Sequence, residues 1–146
     1  MHIDNYDCLK LENQLCFPLY AASKEVIRKY KPFLDEISLT YTQYITMLVL
    51  WDNSNINVKE LGEKLFLDSG TLTPLLKNLE QKGYIKRNRS NEDERNLIVS
   101  LTNDGIKLKD KAKDIPSKIG KCINLNENEA FELYKILYKI LDNKEK

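Results

Sequence analysis

The sequence predicts a mostly α-helical chain with a small β-wing, and two observations carry that prediction. From Asn57 to Leu101 the residues read in order as helix, turn, helix and charged hairpin, the plan of a winged helix-turn-helix. On either side, at about residues 10–31 and 103–143, apolar residues recur at helical spacing, and in the last helix they outnumber what one packing face requires.

In the middle segment Val58, Leu61 and Leu65 fall at i, i+3 and i+7, so this piece reads as a short amphipathic helix. Phe66-Leu67-Asp68 breaks it. Ser69-Gly70-Thr71-Leu72-Thr73-Pro74 then offers small capping residues before Leu75, Leu76 and Leu79 resume the period. Pro74 lacks an amide hydrogen, which predicts that the second helix begins near Thr71 or bends there. Gly83 supplies its stop. Beyond it, Tyr84 to Arg89 and Arg95 to Leu101 carry β-branched and aromatic residues around a polar tip, Ser90-Asn91-Glu92-Asp93-Glu94, and read as a hairpin.

That order of elements points to double-stranded DNA. Ser69, Gly70, Thr71, Thr73, Pro74 and Lys77 occupy the end that a recognition helix presses into the major groove. The alternative for this segment is that they are ordinary cap residues on a solvated helix. The hairpin adds Arg87, Arg89 and Arg95 around a turn where Asp93 can brace an arginine, and an arginine so held suits the narrow, electronegative minor groove. Net charge is silent here, since 23 Lys+Arg against 22 Asp+Glu leaves +1. The basic signal is local, at Lys86 to Arg89 and Arg95, so binding would rest on shape and base contacts while still weakening with salt.

Toward the N-terminus, Leu11, Leu15, Leu19, Ala22 and Val26 form a helical stripe that begins after Lys10 and ends near Lys31-Pro32. Pro18 predicts a bend beside Cys16, or a start displaced toward Gln14. Thr40 can cap the next helix, whose Tyr41, Tyr44, Ile45, Leu48, Val49 and Trp51 leave little polar surface and predict burial against the first. After the hairpin, Thr102-Asn103-Asp104-Gly105 opens a lysine-faced helix with Ile106, Leu108, Ala112 and Ile115, weakened at its far end by Pro116 and Gly120. Asn126 and Glu129 form a capping box for the last helix. Its Phe131, Leu133, Tyr134, Ile136, Leu137, Tyr138, Ile140 and Leu141 exceed one packing face, which predicts a homodimer formed by the terminal helices. A two-fold operator requires one.

At 146 residues the chain is one domain by size. No apolar run reaches signal-peptide or transmembrane length, so a cytoplasmic protein without a membrane partner is expected. Three cysteines in that compartment imply free or redox-active thiols. Cys16, near a helix start, would feel the positive end of the helix dipole, which favours the thiolate that attacks peroxides. By position alone it could as well be an inert small hydrophobe. His2 is the lone histidine and no CxxC pair occurs, so neither a metal nor a cofactor is expected.

The stretch DSGTLTPLLKNLEQKGYIKRNRSNEDERNLIVSLTNDG resembles the DNA-binding core of the MarR family of bacterial regulators, with the DER of the wing and the following LTxxG typical of it. LENQLCFPLYAASKEVIRKYKPFL and LTYTQYITMLVLW resemble the organic hydroperoxide resistance repressors of that family, and the match runs from about Leu9 to Leu141. The resemblance implies a single MarR-type domain over residues 1–146 that binds a pseudo-palindromic operator as a homodimer. It also implies that Cys16 senses organic hydroperoxides and that oxidation releases the DNA. Tyr30 and Tyr41 match tyrosines that hydrogen-bond the sensing cysteine across the dimer, and Tyr20 lies one turn from Cys16. Phe17, Leu15 and Trp51 would favour organic hydroperoxides over hydrogen peroxide. Cys122 lies where the two-cysteine members keep a resolving thiol, a mixed disulfide with a small thiol being the competing outcome and Cys8 a third partner. Two other functions stay open: a MarR-type repressor released by a small aromatic ligand, and a thiol peroxidase. The peroxidase is disfavoured because no thioredoxin-like alternation of strands and helices is present.

Overall fold

A computed structural model describes residues 6–89 and 96–142. The hairpin tip with Asp93 and Arg95 lies outside the described residues, as does His2. The chain divides into two compact units, Met1–Ile115 and Pro116–Lys146.

The first unit opens with two 3-10 turns, Asp7–Leu9 and Leu11–Asn13. There follow α1 (Cys16–Asp35), α2 (Tyr41–Asp52), β1 (Asn55–Asn57), α3 (Val58–Leu65), α4 (Ser69–Gln81), β2 (Ile85–Arg89), β3 (Leu97–Leu101) and α5 (Asn103–Ala112). The first helix starts at Cys16, two residues past the displaced start that Pro18 predicts toward Gln14, and the start near Lys10 is corrected. The Asn13 amide donates to the Asp7 carbonyl at 2.7 Å, and the Gln14 amide donates to Cys8 and Lys10 at 2.7 and 2.8 Å, holding the preceding chain in turns. Pro18 is then the third helical residue, where the missing amide hydrogen costs no intrahelical bond. The expected stop at Lys31-Pro32 is also corrected, because α1 runs through Pro32 to Asp35. Leu34, 2% exposed, draws that last turn onto the core. Ser38 in the left-handed region (φ 56) closes it, with Leu39 N donating to Leu34 O at 3.1 Å.

Thr40 and Gln43 cap α2 reciprocally, as the sequence predicts for Thr40. The helix packs against α1, α3, α4, α5 and β3, with Met47 and Leu50 fully buried. Helix α4 begins at Ser69 and not near Thr71, because Asp68 is its cap: Asp68 Oδ1 accepts from Thr71 N at 2.8 Å. Pro74 sits inside α4 with no break, and its missing hydrogen forfeits one bond to the Gly70 carbonyl. Leu72, Leu75, Leu76 and Leu79 bury the opposite face and outweigh that loss. Gly83, with φ 84, ends the helix in a double closure, Gly83 N to Glu80 O and Tyr84 N to Leu79 O at 3.0 and 3.1 Å.

The expected hairpin is present, β2 pairing antiparallel with β3 from Ile85↔Leu101 to Arg89↔Leu97. The sequence did not reveal β1, a three-residue strand that adds to β3 through Ile56↔Val99 and gives the order β1-β3-β2. Ile56, Ile85 and Val99 point into the core. Two side-chain ties hold the elements together, one between the wing and α4 and one between α2 and α5. Arg87 N donates to Glu80 Oε2 at 2.9 Å while its guanidinium reaches Glu80 Oε1 at 3.2 Å, which holds the Glu80 carboxyl below its usual value of 4.5. Trp51 Nε1 of α2 donates to the Gly105 carbonyl of α5 at 2.9 Å.

The second unit holds α6 (Ile115–Cys122) from its second residue on, and α7 (Glu127–Leu141). The helix expected to run on from Thr102 is thus split, and Pro116 falls in the first turn of α6, where prolines fit. Asn126 and Glu129 form the expected capping box. No residue of α7 is buried, although Phe131, Leu133, Tyr134, Ile136, Tyr138, Ile140 and Leu141 are all exposed on it.

A β-carbon at Gly105 would stand 2.2 Å from the Tyr84 carbonyl oxygen, so α5 approaches the start of β2 as closely as only glycine permits. Gly105→Ala gains about 1 kcal/mol of helix propensity, but overpacking against rigid backbone costs about 1–3 kcal/mol. A net fall in Tm is expected, and an unchanged or higher Tm by calorimetry would contradict the close approach. Glu80→Gln should lower stability at pH 7. A depressed carboxylate stabilises the fold above its unfolded value and loses that contribution as pH falls through the folded one. The gap between wild type and Glu80→Gln in urea midpoints should therefore be constant above about pH 5 and close below 4.5; a gap that persists at acid pH would show that charge is not its cause.

Candidate DNA interface and thiol site

The structure brings the predicted DNA residues of α4 onto one surface. Ser69, Gly70 and Thr71 form the first turn, with Thr73, Pro74 and Lys77 beyond them, and all six are exposed. Their exposure follows from the burial of the leucine face behind them. Thr73 Oγ1 donates to the Ser69 carbonyl at 2.8 Å, which leaves its methyl and the oxygen lone pairs outward. Asp68, missed in the sequence as a cap, has its carboxyl held low chiefly by the Thr71 backbone amide. The signal was there, an Asp three residues before Thr71 and directly before a helical period.

In the wing the predicted residues part company. Arg89 lies exposed at the end of β2. Arg87 is turned to Glu80 and its side chain is only 21% exposed, so it braces the wing against α4 where the sequence reading had placed it on DNA. The physical reason is alternation: in a strand, neighbours face opposite sides, and Arg87 shares with Ile85 the side turned toward the helices.

Cys16 is the first residue of α1 and is exposed, flanked by Leu15, Phe17, Leu19 and Tyr20, which are exposed too. Tyr20 accepts from Lys24 Nζ at 3.3 Å. Tyr30 and Tyr41 are brought together, their rings 4.9 Å apart, and Tyr44, which the sequence reading did not single out, completes the cluster at 5.8 Å from Tyr30. Burial, with Tyr41 and Tyr44 adding to it, pushes the Tyr30 phenol up to about 12, and burial raises Tyr41 and Tyr44 as well. All three therefore keep their protons at neutral pH. Cys16 and Tyr30 share one helix, fourteen positions and roughly 21 Å of rise apart, so one chain does not join them. Trp51, expected among the apolar neighbours of Cys16, has its indole nitrogen committed to Gly105 of α5. Cys122 is exposed at the end of α6 in the second unit. Among the described residues no group of His, Cys, Asp and Glu is arranged to hold a metal ion.

A family model for the transcriptional regulators SarA/Rot matches residues 28–112. The organic hydroperoxide resistance transcriptional regulator of Bacillus subtilis (strain 168) is 50% identical over 139 residues, which cover 95% of each chain. Among solved structures, reduced AbfR bound to DNA is similar with a TM-score of 0.77 at 34% identity, covering 92% of both chains. AbfR, from Staphylococcus epidermidis, is also similar in a form with a disulfide made, with a TM-score of 0.65 at 35% identity over 92% of this chain and 94% of that one. With the winged helix, the exposed recognition surface and the cysteine–tyrosine pattern, these likenesses show that the chain belongs to the MarR family of DNA-binding transcriptional regulators, in the branch of the organic hydroperoxide resistance regulators, and is not an enzyme.

Proposed function

We propose that this regulator is a homodimeric repressor that holds a pseudo-palindromic operator while Cys16 is reduced and leaves it when an organic hydroperoxide oxidises that thiol. The observation that carries the reading is the separation of Cys16 from the protonated Tyr30–Tyr41 pair along one helix. Three phenol donors that neighbour one another beside a core are suited to an anionic sulfur, and a second copy is what would deliver it. The apolar surface of α1 and α7 supports such a copy, since Leu15, Phe17, Phe131, Tyr134, Ile136 and Ile140 each stand more than 40% exposed in the single chain.

The chemistry is a two-electron oxidation. The Cys16 thiolate attacks one peroxide oxygen, the O–O bond breaks, a sulfenic acid forms and the alcohol leaves after taking a proton. Exposed apolar neighbours suit an organic peroxide over hydrogen peroxide. The sulfenic acid then condenses with the Cys122 thiol of a second copy, forming a disulfide and releasing water. Ser69, Gly70, Thr71, Thr73, Pro74 and Lys77 would read the major groove, with Arg89 and Arg95 at the wing and Asp93 bracing an arginine; Arg87 would support them from behind. Such a protein works in the bacterial cytoplasm, where the operator is.

Cys16→Ser tests the redox reading against release by an aromatic ligand. On DNA selected from a random pool by the reduced protein, the variant should bind as wild type does and stay bound under cumene hydroperoxide; release of the variant by the peroxide would overturn the reading. A non-reducing gel of peroxide-treated protein should show a crosslinked dimer that is lost in Cys122→Ser, whereas a crosslink surviving that substitution would exclude the Cys16–Cys122 pair. Arg95→Ala and Thr71→Ala should each weaken specific binding by about 1–3 kcal/mol, the size of a good groove contact. Titration at fixed salt that finds unchanged affinity would remove the residue concerned from the interface.

A further inference from the structure

We infer that Gln43, Asn78 and Lys82 form a hydrogen-bonded tie through which the tyrosine cluster and the recognition helix move as one body, with Asn78 and Lys82 the positioning residues for operator release. Gln43 is a polar residue only 6% exposed, and both ends of its side chain are engaged. Its Oε1 accepts from the Thr40 amide at 3.0 Å and from Lys82 Nζ at 3.1 Å. Because that oxygen serves the Thr40 amide, the other end must be the nitrogen, and Nε2 donates to Asn78 Oδ1 at 2.8 Å. Lys82 Nζ also donates to the Ser38 carbonyl, so one ammonium clasps the α1–α2 connection and the first turn of α2 together.

The placement is what gives the tie a function. Tyr41, Gln43 and Tyr44 all lie in the first turn of α2, but at roughly 100° per residue Tyr41 and Gln43 point to nearly opposite sides. Tyr41 and Tyr44 meet Tyr30 of α1, while Gln43 reaches Asn78 of α4. A change at the phenols that shifts the start of α2 is thus transmitted to the C-terminal half of α4 through groups that cannot separate without leaving a buried amide unpaired. Asn78 is one residue after Lys77 on the helix that carries the DNA surface, and it is exposed, so altering it leaves the core intact. The inference rests on the redox reading above, which the experiment checks separately.

The test compares operator affinity before and after cumene hydroperoxide, by fluorescence anisotropy on the selected DNA, with intact mass reporting oxidation of Cys16. Wild type should lose affinity by a factor in the range of about 5 to 150, the usual span of coupling between two sites, and Asn78→Leu with Lys82→Met should bring that factor below about 2. Asn78→Asp keeps the acceptor for Gln43 Nε2 and should retain the wild-type factor. A role in folding alone would lower Tm and reduced-state affinity but leave the ratio of the two affinities in place. If Asn78→Leu/Lys82→Met, oxidised to the same extent, keeps the wild-type ratio, the tie is not the transmission and the inference fails while the redox reading stands. If wild type itself shows no loss, the redox reading fails and takes the inference with it.

Discussion

The burial of α2 is the constraint on which the rest depends. Met47 and Leu50 have no exposed surface, and α1, α3, α4, α5 and β3 all pack on this one helix. A helix covered on so many sides has to satisfy every polar group it carries, since an unpaired one would cost about 1–3 kcal/mol. Thr46 does so within the helix, donating to the Thr42 carbonyl at 2.7 Å. Gln43 does so outward, to α4, and Trp51 to α5. Polar satisfaction of the hub therefore sets where its neighbours sit, beyond what apolar packing alone would specify.

The same constraint explains what could be read in the sequence. The period of Leu72, Leu75, Leu76 and Leu79, the Thr40 and Asn126 caps, the Gly83 stop and the hairpin strands are local signals, and the structure follows them. The stripe Leu11, Leu15, Leu19 failed as a guide to the helix start, because Leu11, Leu15 and Leu19 stay exposed in the single chain and nothing in it holds Leu11 to Leu15 in a helix against the Gln14 and Asn13 bonds. Strand β1 was illegible since three residues carry no alternation; it exists because Ile56 fills the core beside Val99. Arg87 looked like one of several wing arginines until its strand face and Glu80 were placed together. Long-range polar pairs such as Gln43–Asn78, 35 positions apart, leave no trace in spacing.

The recognition helix is held by its leucine face, by the Gln43 tie at Asn78 and by the Glu80–Arg87 tie to the wing. These anchors lie on its buried side or in its second half. The exposed first turn is held by its own Asp68 cap, so its surface is carried by the helix as a whole. A rigid presentation of this kind favours a two-state response over gradual loosening.

Magnitudes decide which part of such a response does what. Turning a population from nearly all bound to nearly all released takes a difference of about 5.5 kcal/mol between the two states. A hydrogen bond contributes about 0.5–1.5 kcal/mol net when neutral and about 1.5–3 when one partner is charged, as in the Lys82 and Glu80–Arg87 contacts, so neither tie to α4 is by itself the source of that difference. On the proposed redox reading the difference would come from the covalent change at the Cys16 sulfur, which a second copy would bring to the tyrosines. On that reading the polar ties would make α1, α2 and α4 respond together, because the start of α2 is joined to Tyr30 on one side and to Asn78 of the leucine-backed helix on the other.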